Sequence, residues 1–301
     1  MFIIATDEAG YGPNYGPLVV TATAWQFDSE TPEDIFPALA ADLKKDGVLI
    51  DDSKNVYHAG SLGPLENVVL GVLDSFDKRC PNAYFARANL FSSRDRISGC
   101  AVPCLDSARK LVIQEISKNF ASVLAKHGAR FVSAKSRSVF PAEFNELLER
   151  YDSKGTLLSN ETLGLIGLML PLLEGEPALI LCDKHGGRNR YLDLLTTFLP
   201  EEFIQVVTES REKSVYRVNE RKMEFRFLAK GDRLLPVALS SMISKYGREL
   251  AMLRFNEFWQ SHIPNLKPTA GYPEDARRFQ KDIAAKQQEL GIENKTIWRE
   301  K

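Results

Sequence analysis

Residues 5 to 20 read ATDEAGYGPNYGPLVV and place two adjacent carboxylates between two apolar runs. The flanking runs, residues 2 to 6 and 18 to 27, are rich in β-branched and aromatic residues, which favour strands. The segment between them is rich in glycine and proline, which are typical of turns. The sequence therefore predicts two adjacent strands, with Asp7 and Glu8 at the end of the first.

The composition is that of a globular protein with room for a sizeable core. The chain has 301 residues, of which 44% are hydrophobic and 26% charged, and its net charge of -1 excludes a basic surface over the whole molecule. Four cysteines at irregular spacing do not form a disulfide framework, so we expect a cytoplasmic protein. The longest apolar stretch, residues 163 to 173, is shorter than a membrane span and contains Pro171. We interpret it as a buried helix and expect no membrane association.

Strand and helix patterns alternate through the rest of the chain, which predicts an α/β fold. Further strands are expected at 130–135, 177–183, 203–209 and in the second half of 216–229. Helices are expected at roughly 103–127, 141–150, 160–173, 188–198, 234–260 and 273–289. Because the first two strands would form a hairpin, the sheet should be mixed. The part from about residue 234 should be mainly helical and pack against the sheet.

Four acidic residues share a position at the end of an apolar strand or the start of a helix. Asp7 and Glu8 end the first strand, Asp183 ends the strand ALILCD, and Asp232 precedes the long helix. Any one of them could be a helix cap or a solvated turn residue. If all four meet in a sheet, their repulsion requires cations, and carboxylate oxygens suit Mg²⁺ or Mn²⁺. Two such ions support phosphoryl chemistry.

The order of several motifs adds a resemblance to a known family. These motifs are DEAGYGP (7–13), GPLVV (16–20), DDSK (51–54), NETLGLIGLML (160–170), LILCD (179–183), KGDRLLPVALSSMISKYGRE (230–249) and GYPEDARRF (271–279). In this order they resemble the type 2 ribonucleases H. The resemblance implies a ribonuclease H-like α/β fold with a five-stranded mixed sheet flanked by helices and a helical C-terminal part. It implies a single domain over residues 1–301, in which about 60–140 looks like an insertion.

The resemblance also implies an activity and a site. Asp7, Glu8, Asp183 and Asp232 match the family's four-carboxylate site for Mg²⁺ or Mn²⁺. Other matching positions would contact the substrate: Gly10, Tyr11, Gly12, Lys54, Lys245, Arg248 and Tyr272. Members cleave RNA paired with DNA on the 5′ side of a ribonucleotide and leave a 3′-hydroxyl and a 5′-phosphate. The implied partner is an RNA/DNA hybrid or DNA that contains ribonucleotides, and we expect a monomer.

The first motif departs from the family at one position. Members usually read DEAGRGP, whereas this chain has Tyr11 in place of the arginine. Gly10 and Gly12 are retained, so close approach of the backbone to a 2′-hydroxyl is preserved in principle. The missing guanidinium removes a charge-assisted contact to phosphate. The preference between a continuous hybrid and a single embedded ribonucleotide therefore stays open.

The segment DKHGGRNRY, residues 183 to 191, also differs from the family. Its His185, Arg188 and Arg190 predict either a basic loop that grips a phosphate or moves a proton, or a solvated connection to the next helix. Two other functions also remain open. One is a non-catalytic nucleic-acid-binding protein of the same fold, and the other is a metal nuclease with a different nucleic-acid substrate.

Overall fold

A mixed β-sheet with helices on both faces forms the centre of the molecule. The computed structural model describes residues 1–51, 56, 62–76 and 106–300. In chain order the strands of these ranges are β1 (Phe2–Ala9), β2 (Leu18–Phe27), β3 (Ala129–Val139), β4 (Ala178–Asp183), β5 (Gln205–Glu209), β6 (Lys213–Val218) and β7 (Met223–Leu228). The predicted opening hairpin is confirmed, since β1 and β2 pair antiparallel.

The strand order across the sheet is β3-β2-β1-β4-β7-β6-β5. β1, β4 and β7 are parallel neighbours, and the other pairs are antiparallel. Over the described ranges the sheet thus has seven strands rather than the expected five. The additional pairing arises because β6 continues the sheet beyond β7, from Lys213 opposite Leu228 to Val218 opposite Met223. β5 then forms the exposed edge.

Helices occupy most of the remaining described sequence. They are α1 (Phe36–Lys45), α2 (Gly63–Phe76), α3 (Ser107–Lys126), α4 (Pro141–Tyr151), α5 (Lys154–Gly167), α6 (Leu192–Phe198), α7 (Leu235–His262), α8 (Pro273–Glu289) and α9 (Asn294–Ile297). Short 3-10 helices lie at Pro32–Asp34, Leu170–Leu173 and Gly231–Arg233. The helix expected at 160–173 begins earlier, because Ser153 caps it by accepting a hydrogen bond from the Thr156 amide. Within the segment 60–140, β3 pairs with β2 along its whole length.

The two faces of the sheet bury separate cores. Side chains alternate along β1, so that Ile3 faces one core and Ile4 the other. The first core also contains residues of α1, α2, α3 and α7, and the second contains residues of α4, α5 and α6. By length and composition, Lys154–Leu173 could cross a membrane, with a mean hydropathy of 1.4, but half of it is buried inside the protein. Leu157 and Leu158 belong to the second core, as in a core helix.

The helical C-terminal part is confirmed, and it forms a third core around Tyr15. Tyr15 is fully buried, and its ring lies 5.2 Å from that of Phe255 and 5.6 Å from that of Phe279. α7 and α8 supply most of this core. The turn that follows β1 is therefore packed against the C-terminal helices.

Candidate active site

The carboxylates predicted from the sequence lie at one edge of the sheet. β1 and β4 are parallel and in register up to Thr6 opposite Cys182, so Asp7 and Asp183 follow on neighbouring strands. β7 pairs in parallel with β4 up to Leu228, and the chain then turns into the 3-10 helix that carries Asp232. Carboxyl ends of parallel strands meet at one edge, which brings the four acidic residues together.

Hydrogen bonds from backbone amides fix two of these carboxylates. Asp183 accepts a hydrogen bond of 2.7 Å from the Gly231 amide, which ties the end of β4 to the segment that carries Asp232. Asp7 accepts one of 2.8 Å from the Glu8 amide. A Cβ at Gly231 would lie 3.3 Å from the Asp183 Cα, so glycine suits this close approach.

Burial and, to a smaller extent, repulsion from neighbouring carboxylates raise the pKa values of Asp7 and Glu8. Burial and the negative charge of Asp183, with a smaller contribution from Asp232, raise the pKa of Asp7 to about 7. Burial and the charges of Asp7 and Asp183 hold the pKa of Glu8 well above its ordinary value. A carboxylate cluster of this kind is stabilised by a bound cation, and its donors are the hard oxygens that Mg²⁺ and Mn²⁺ prefer.

The negative charges of the carboxylates suit a divalent ion, but the side chains are not arranged around a common metal position. Within the described ranges, no three Asp, Glu, His or Cys side chains are arranged to hold a metal ion as they stand. The amide hydrogen bonds of Asp7 and Asp183 show what holds the side chains in their present orientations. The donor chemistry therefore fits a metal site whose carboxylates would reorient on binding.

Serines of α7 hydrogen-bond β1, the strand that carries Asp7. This contact was not expected from the sequence. The Ser244 hydroxyl donates to the Asp7 carbonyl at 3.0 Å, and the Ser240 hydroxyl donates to the Ala5 carbonyl at 3.0 Å. Ser241 hydrogen-bonds the Asp7 carboxylate, which opposes the rise in its pKa. The four-residue spacing of Ser240 and Ser244 on one helix face is the sequence signal that could have indicated this contact.

The two glycines of the first motif have different surroundings. Gly10 has a φ of +86°, and a Cβ there would lie 2.5 Å from the Pro17 carbonyl oxygen and 2.7 Å from Arg248 Cδ. Gly12 is exposed, and apart from its two chain neighbours no atom of the described residues lies within 4 Å of the position its Cβ would take. The fold itself thus requires glycine at position 10, whereas position 12 leaves open space beside the backbone.

Tyr11 lies against the loop that follows Asp183. A Cβ added to Gly186 would lie 2.3 Å from the Tyr11 hydroxyl oxygen, and one added to Gly155 would lie 3.8 Å from it. Burial and the charge of Glu8 raise the pKa of Tyr11, while Arg188 opposes this rise. The tyrosine therefore joins the glycine turn to residues 184–190.

Residues 184–190 form a loop that is packed at His185 and exposed at Gly186, Gly187, Asn189 and Arg190. His185 is buried, its Nδ1 lies 2.9 Å from the Ser159 hydroxyl, and burial, with the charge of Arg188, lowers its pKa to about 3. The expected role of His185 in moving a proton does not fit this environment. Arg188 donates to the Thr156 hydroxyl at 2.8 Å, whereas the Arg190 side chain is 88% exposed.

The predicted basic residues Lys245 and Arg248 lie on α7, and Tyr272 directly precedes α8. Lys245 pairs with Glu249 at 2.7 Å. Arg248 is only 1% exposed and donates to the Ala270 carbonyl at 2.8 Å, so it faces the interior rather than the surface. Its guanidinium carbon lies 5.5 Å from the ring centroid of Tyr272, which is half exposed. The predicted residue Lys54 lies outside the described residues.

No family model and no curated protein matches the sequence. Among solved structures, the chain is similar to ribonuclease H2 from Pyrococcus horikoshii OT3, with a TM-score of 0.52 and 16% identity over 99% of this chain and 92% of that one. It also matches RNase H3 from Aquifex aeolicus (TM-score 0.45, 12% identity, 99% and 70% coverage) and RNase HII in a PCNA complex from Archaeoglobus fulgidus (0.43, 16%, 99% and 93%). The Pyrococcus structure establishes the ribonuclease H-like fold of this chain.

Proposed function

We propose that this chain is an endonuclease that depends on Mg²⁺ or Mn²⁺ and cleaves the RNA strand of RNA/DNA hybrids on the 5′ side of a ribonucleotide. The observation that carries the proposal is the meeting of four carboxylates at the carboxyl ends of parallel strands. The ribonuclease H-like fold supports it, because the resemblance of the sequence motifs assigns these same positions to the metal site. The finer steps of the reaction follow from the roles of the individual residues.

Asp7, Glu8, Asp183 and Asp232 would hold the metal ions. When bound, divalent ions supply the Lewis acidity that activates water and stabilises the leaving 3′-oxygen in phosphodiester cleavage. The protein holds the carboxylates at the strand ends through the amides of Glu8 and Gly231. This placement supports catalysis because groups held in position lower the entropic cost of reaching the transition state.

The glycine turn and Tyr272 would position the RNA strand. Gly12 gives a ribose room to approach the backbone, and the half-exposed Tyr272 ring offers a stacking surface. Lys245 would contact the strand from α7, and the resemblance assigns a similar role to Lys54. Arg248 would support Tyr272 and the turn from inside the protein, since its side chain is buried.

The test is cleavage of two end-labelled duplexes with Mg²⁺, with Mn²⁺ and with a chelator. One duplex has a continuous RNA strand on DNA, and the other has a single ribonucleotide in DNA. The Asp183→Asn variant keeps an oxygen that can accept from the Gly231 amide, so it should fold and bind the hybrid but lose metal-dependent cleavage. Asp193→Asn, which changes an exposed residue of α6, is the matched control and should cleave normally.

The outcomes separate the proposed enzyme from its alternatives. Cleavage by the wild type that Asp183→Asn abolishes supports the proposal, and a comparison of the two duplexes defines its substrate preference. Tight binding without cleavage by the wild type would indicate a non-catalytic binding protein. Full activity of Asp183→Asn would remove this residue from the site, and cleavage confined to another nucleic acid would change the substrate class.

A further inference from the structure

Arg299 is a buried cation with no carboxylate partner among the described residues. Its side chain has no exposed surface, and none of the ion pairs between described residues includes it. Burial, together with the positive charge of Arg248, lowers its pKa to about 9. A buried charge without an opposite charge is costly, so its contacts must compensate for lost hydration.

The contacts of the Arg299 guanidinium are carbonyl oxygens of the glycine turn. Nε donates to the Pro13 carbonyl at 2.9 Å, and Nη2 donates to the same oxygen and, at 3.5 Å, to the Tyr11 carbonyl. The guanidinium carbon also lies 4.5 Å from the ring centroid of Phe144, which favours a cation through its π face. The cation thus binds the inner side of the turn whose outer side is the exposed Gly12.

Backbone contacts hold Arg299 in register with the turn. The Arg299 amide donates to the Asn14 carbonyl at 2.8 Å, and Asn14 Nδ2 donates to the Arg299 carbonyl at 3.2 Å. An isolated antiparallel bridge joins Tyr15 to Trp298. The turn is therefore paired with residues that lie more than 280 positions away in the sequence.

A separate anchor joins the same C-terminal segment to α4. Asn145 Nδ2 donates to the Trp298 carbonyl at 2.9 Å and to the Lys295 carbonyl at 3.0 Å, and its Oδ1 accepts from the Glu300 amide at 2.8 Å. None of these hydrogen bonds involves an atom of the turn. They hold the segment on either side of Arg299 through α4 and make no direct contact with residues 10–15.

The turn needs support because its own sequence provides little rigidity. Pro13 has no amide hydrogen to donate, and glycine at positions 10 and 12 permits many backbone conformations. The Asn14 amide is held by the Gly271 carbonyl at 2.8 Å, and Gly10 lies against Arg248. Arg299 supplies the corresponding contact to the carbonyls of Tyr11 and Pro13, between these two supports.

We propose that Arg299 is a positioning residue that fixes the carbonyl side of residues 11–13 and so presents Gly12 to the nucleic-acid strand at a set distance from the carboxylates. The inference rests on the proposed function, because it assumes that the turn contacts substrate. It assigns substrate positioning to a side chain that itself does not reach the substrate. Loss of this side chain should therefore change the fit of the substrate more than the chemistry at the carboxylates.

Four variants test this role by hybrid cleavage, with KM, kcat and the position of the cut measured. Arg299→Met should raise KM about tenfold, which corresponds to about 1.4 kcal/mol, and should spread the cuts over neighbouring ribonucleotides. Arg299→Lys keeps the charge without the planar fork and should be intermediate. Asn145→Ala is the control: it should lower the midpoint of thermal unfolding but leave KM and the cut position unchanged. Added guanidinium ion should partly restore the wild-type KM and cut position of the truncated Arg299→Ala variant.

Hydrogen exchange of the amides of residues 10–15 gives a readout that does not depend on cleavage. Arg299→Met should speed exchange at Asn14 and Tyr15, whose amides donate to the Gly271 carbonyl, more than Asn145→Ala does. If the wild type fails to cleave any hybrid, the proposed function is wrong, and exchange still tests the support of the turn. The positioning role is refuted if folded Arg299→Met keeps the wild-type KM and cut position, or if Asn145→Ala raises KM as much. If Arg299→Met does not fold, the same comparison applies to Arg299→Lys.

Discussion

A pair of matched substitutions separates the structural from the functional use of glycine in the turn. Gly10→Ala would place a methyl group 2.5 Å from the Pro17 carbonyl oxygen in a residue with a φ of +86°. A left-handed conformation costs a residue with a Cβ about 1–2 kcal/mol, and overpacking against backbone adds about 1–3 kcal/mol. Gly10→Ala should therefore lower the free energy of unfolding by about 2–5 kcal/mol, a large part of the stability of an ordinary domain.

Gly12→Ala should instead leave stability nearly unchanged and lower the cleavage activity. Among the residues that the structure describes, no atom beyond the two chain neighbours lies within 4 Å of the added methyl group, so it meets no clash there. Loss of flexibility in the unfolded chain should leave stability unchanged or raise it by up to about 1 kcal/mol. If a ribose approaches this backbone, the methyl group should cost about 1–3 kcal/mol of transition-state binding, or roughly 5- to 150-fold in kcat/KM.

Urea titrations followed by tryptophan fluorescence measure the stability of both variants, since Trp25 and Trp259 are buried. Hybrid cleavage measured below KM gives kcat/KM for each folded variant. Wild-type kcat/KM for Gly12→Ala would refute the claim that the backbone at this position contacts substrate. Wild-type stability for Gly10→Ala would refute the packing of the turn against Arg248 and Pro17.

Three further changes test the surroundings of the site. Gly186→Ala should destabilise the protein by about 1–3 kcal/mol, and in a double-mutant cycle Tyr11→Ala should remove only the part due to the clash with the tyrosine hydroxyl, because the strain of the left-handed φ of +57° remains. Ser244→Ala should cost about 1 kcal/mol in urea titrations through its lost buried hydrogen bonds, whereas Ser261→Ala, at an exposed serine of the same helix, should cost less. Burial tends to raise the pKa of Glu224, but hydrogen bonds from two arginines outweigh it and lower the pKa below its ordinary value. Glu224→Gln should therefore be less stable than the wild type at pH 7. The difference should shrink as acid protonates the wild-type carboxylate.

The carboxylates could be predicted because their signal is local. An apolar run that ends in an acidic residue is visible in the sequence around Asp7 and Asp183, and parallel pairing of β1 with β4 brings the two ends together. Their convergence with Asp232 depended on topology, which the motif order implied by resemblance. The pairing of β4 with β7 now gives its physical basis.

The segment after Asp183 shows where local patterns fail. Histidine and arginine in a glycine-rich loop are equally typical of a solvated connection and of a basic binding loop, so its sequence left both open. The buried position of His185 and the half-buried position of Arg188 depend on Ser159 and Thr156 of α5, which lie 26 and 32 residues before their partners. Such contacts have no periodic signal, and the neutral state of His185 follows only from the packing.

The contacts of Arg299 also have no local signal in the sequence, because its partners lie far away along the chain. In the sequence it stands near the chain end among charged residues, a context typical of a solvated tail. Its contact with Pro13 spans 286 positions, and only tertiary packing shows that the guanidinium is buried beneath the turn. The negative charges of the site thus lie at the strand ends, while two buried cations, Arg248 and Arg299, lie behind the turn beside them. If the chain cleaves hybrids as proposed, these two cations would add a positive field behind a turn that has no arginine at position 11, because a buried charge is weakly screened by solvent.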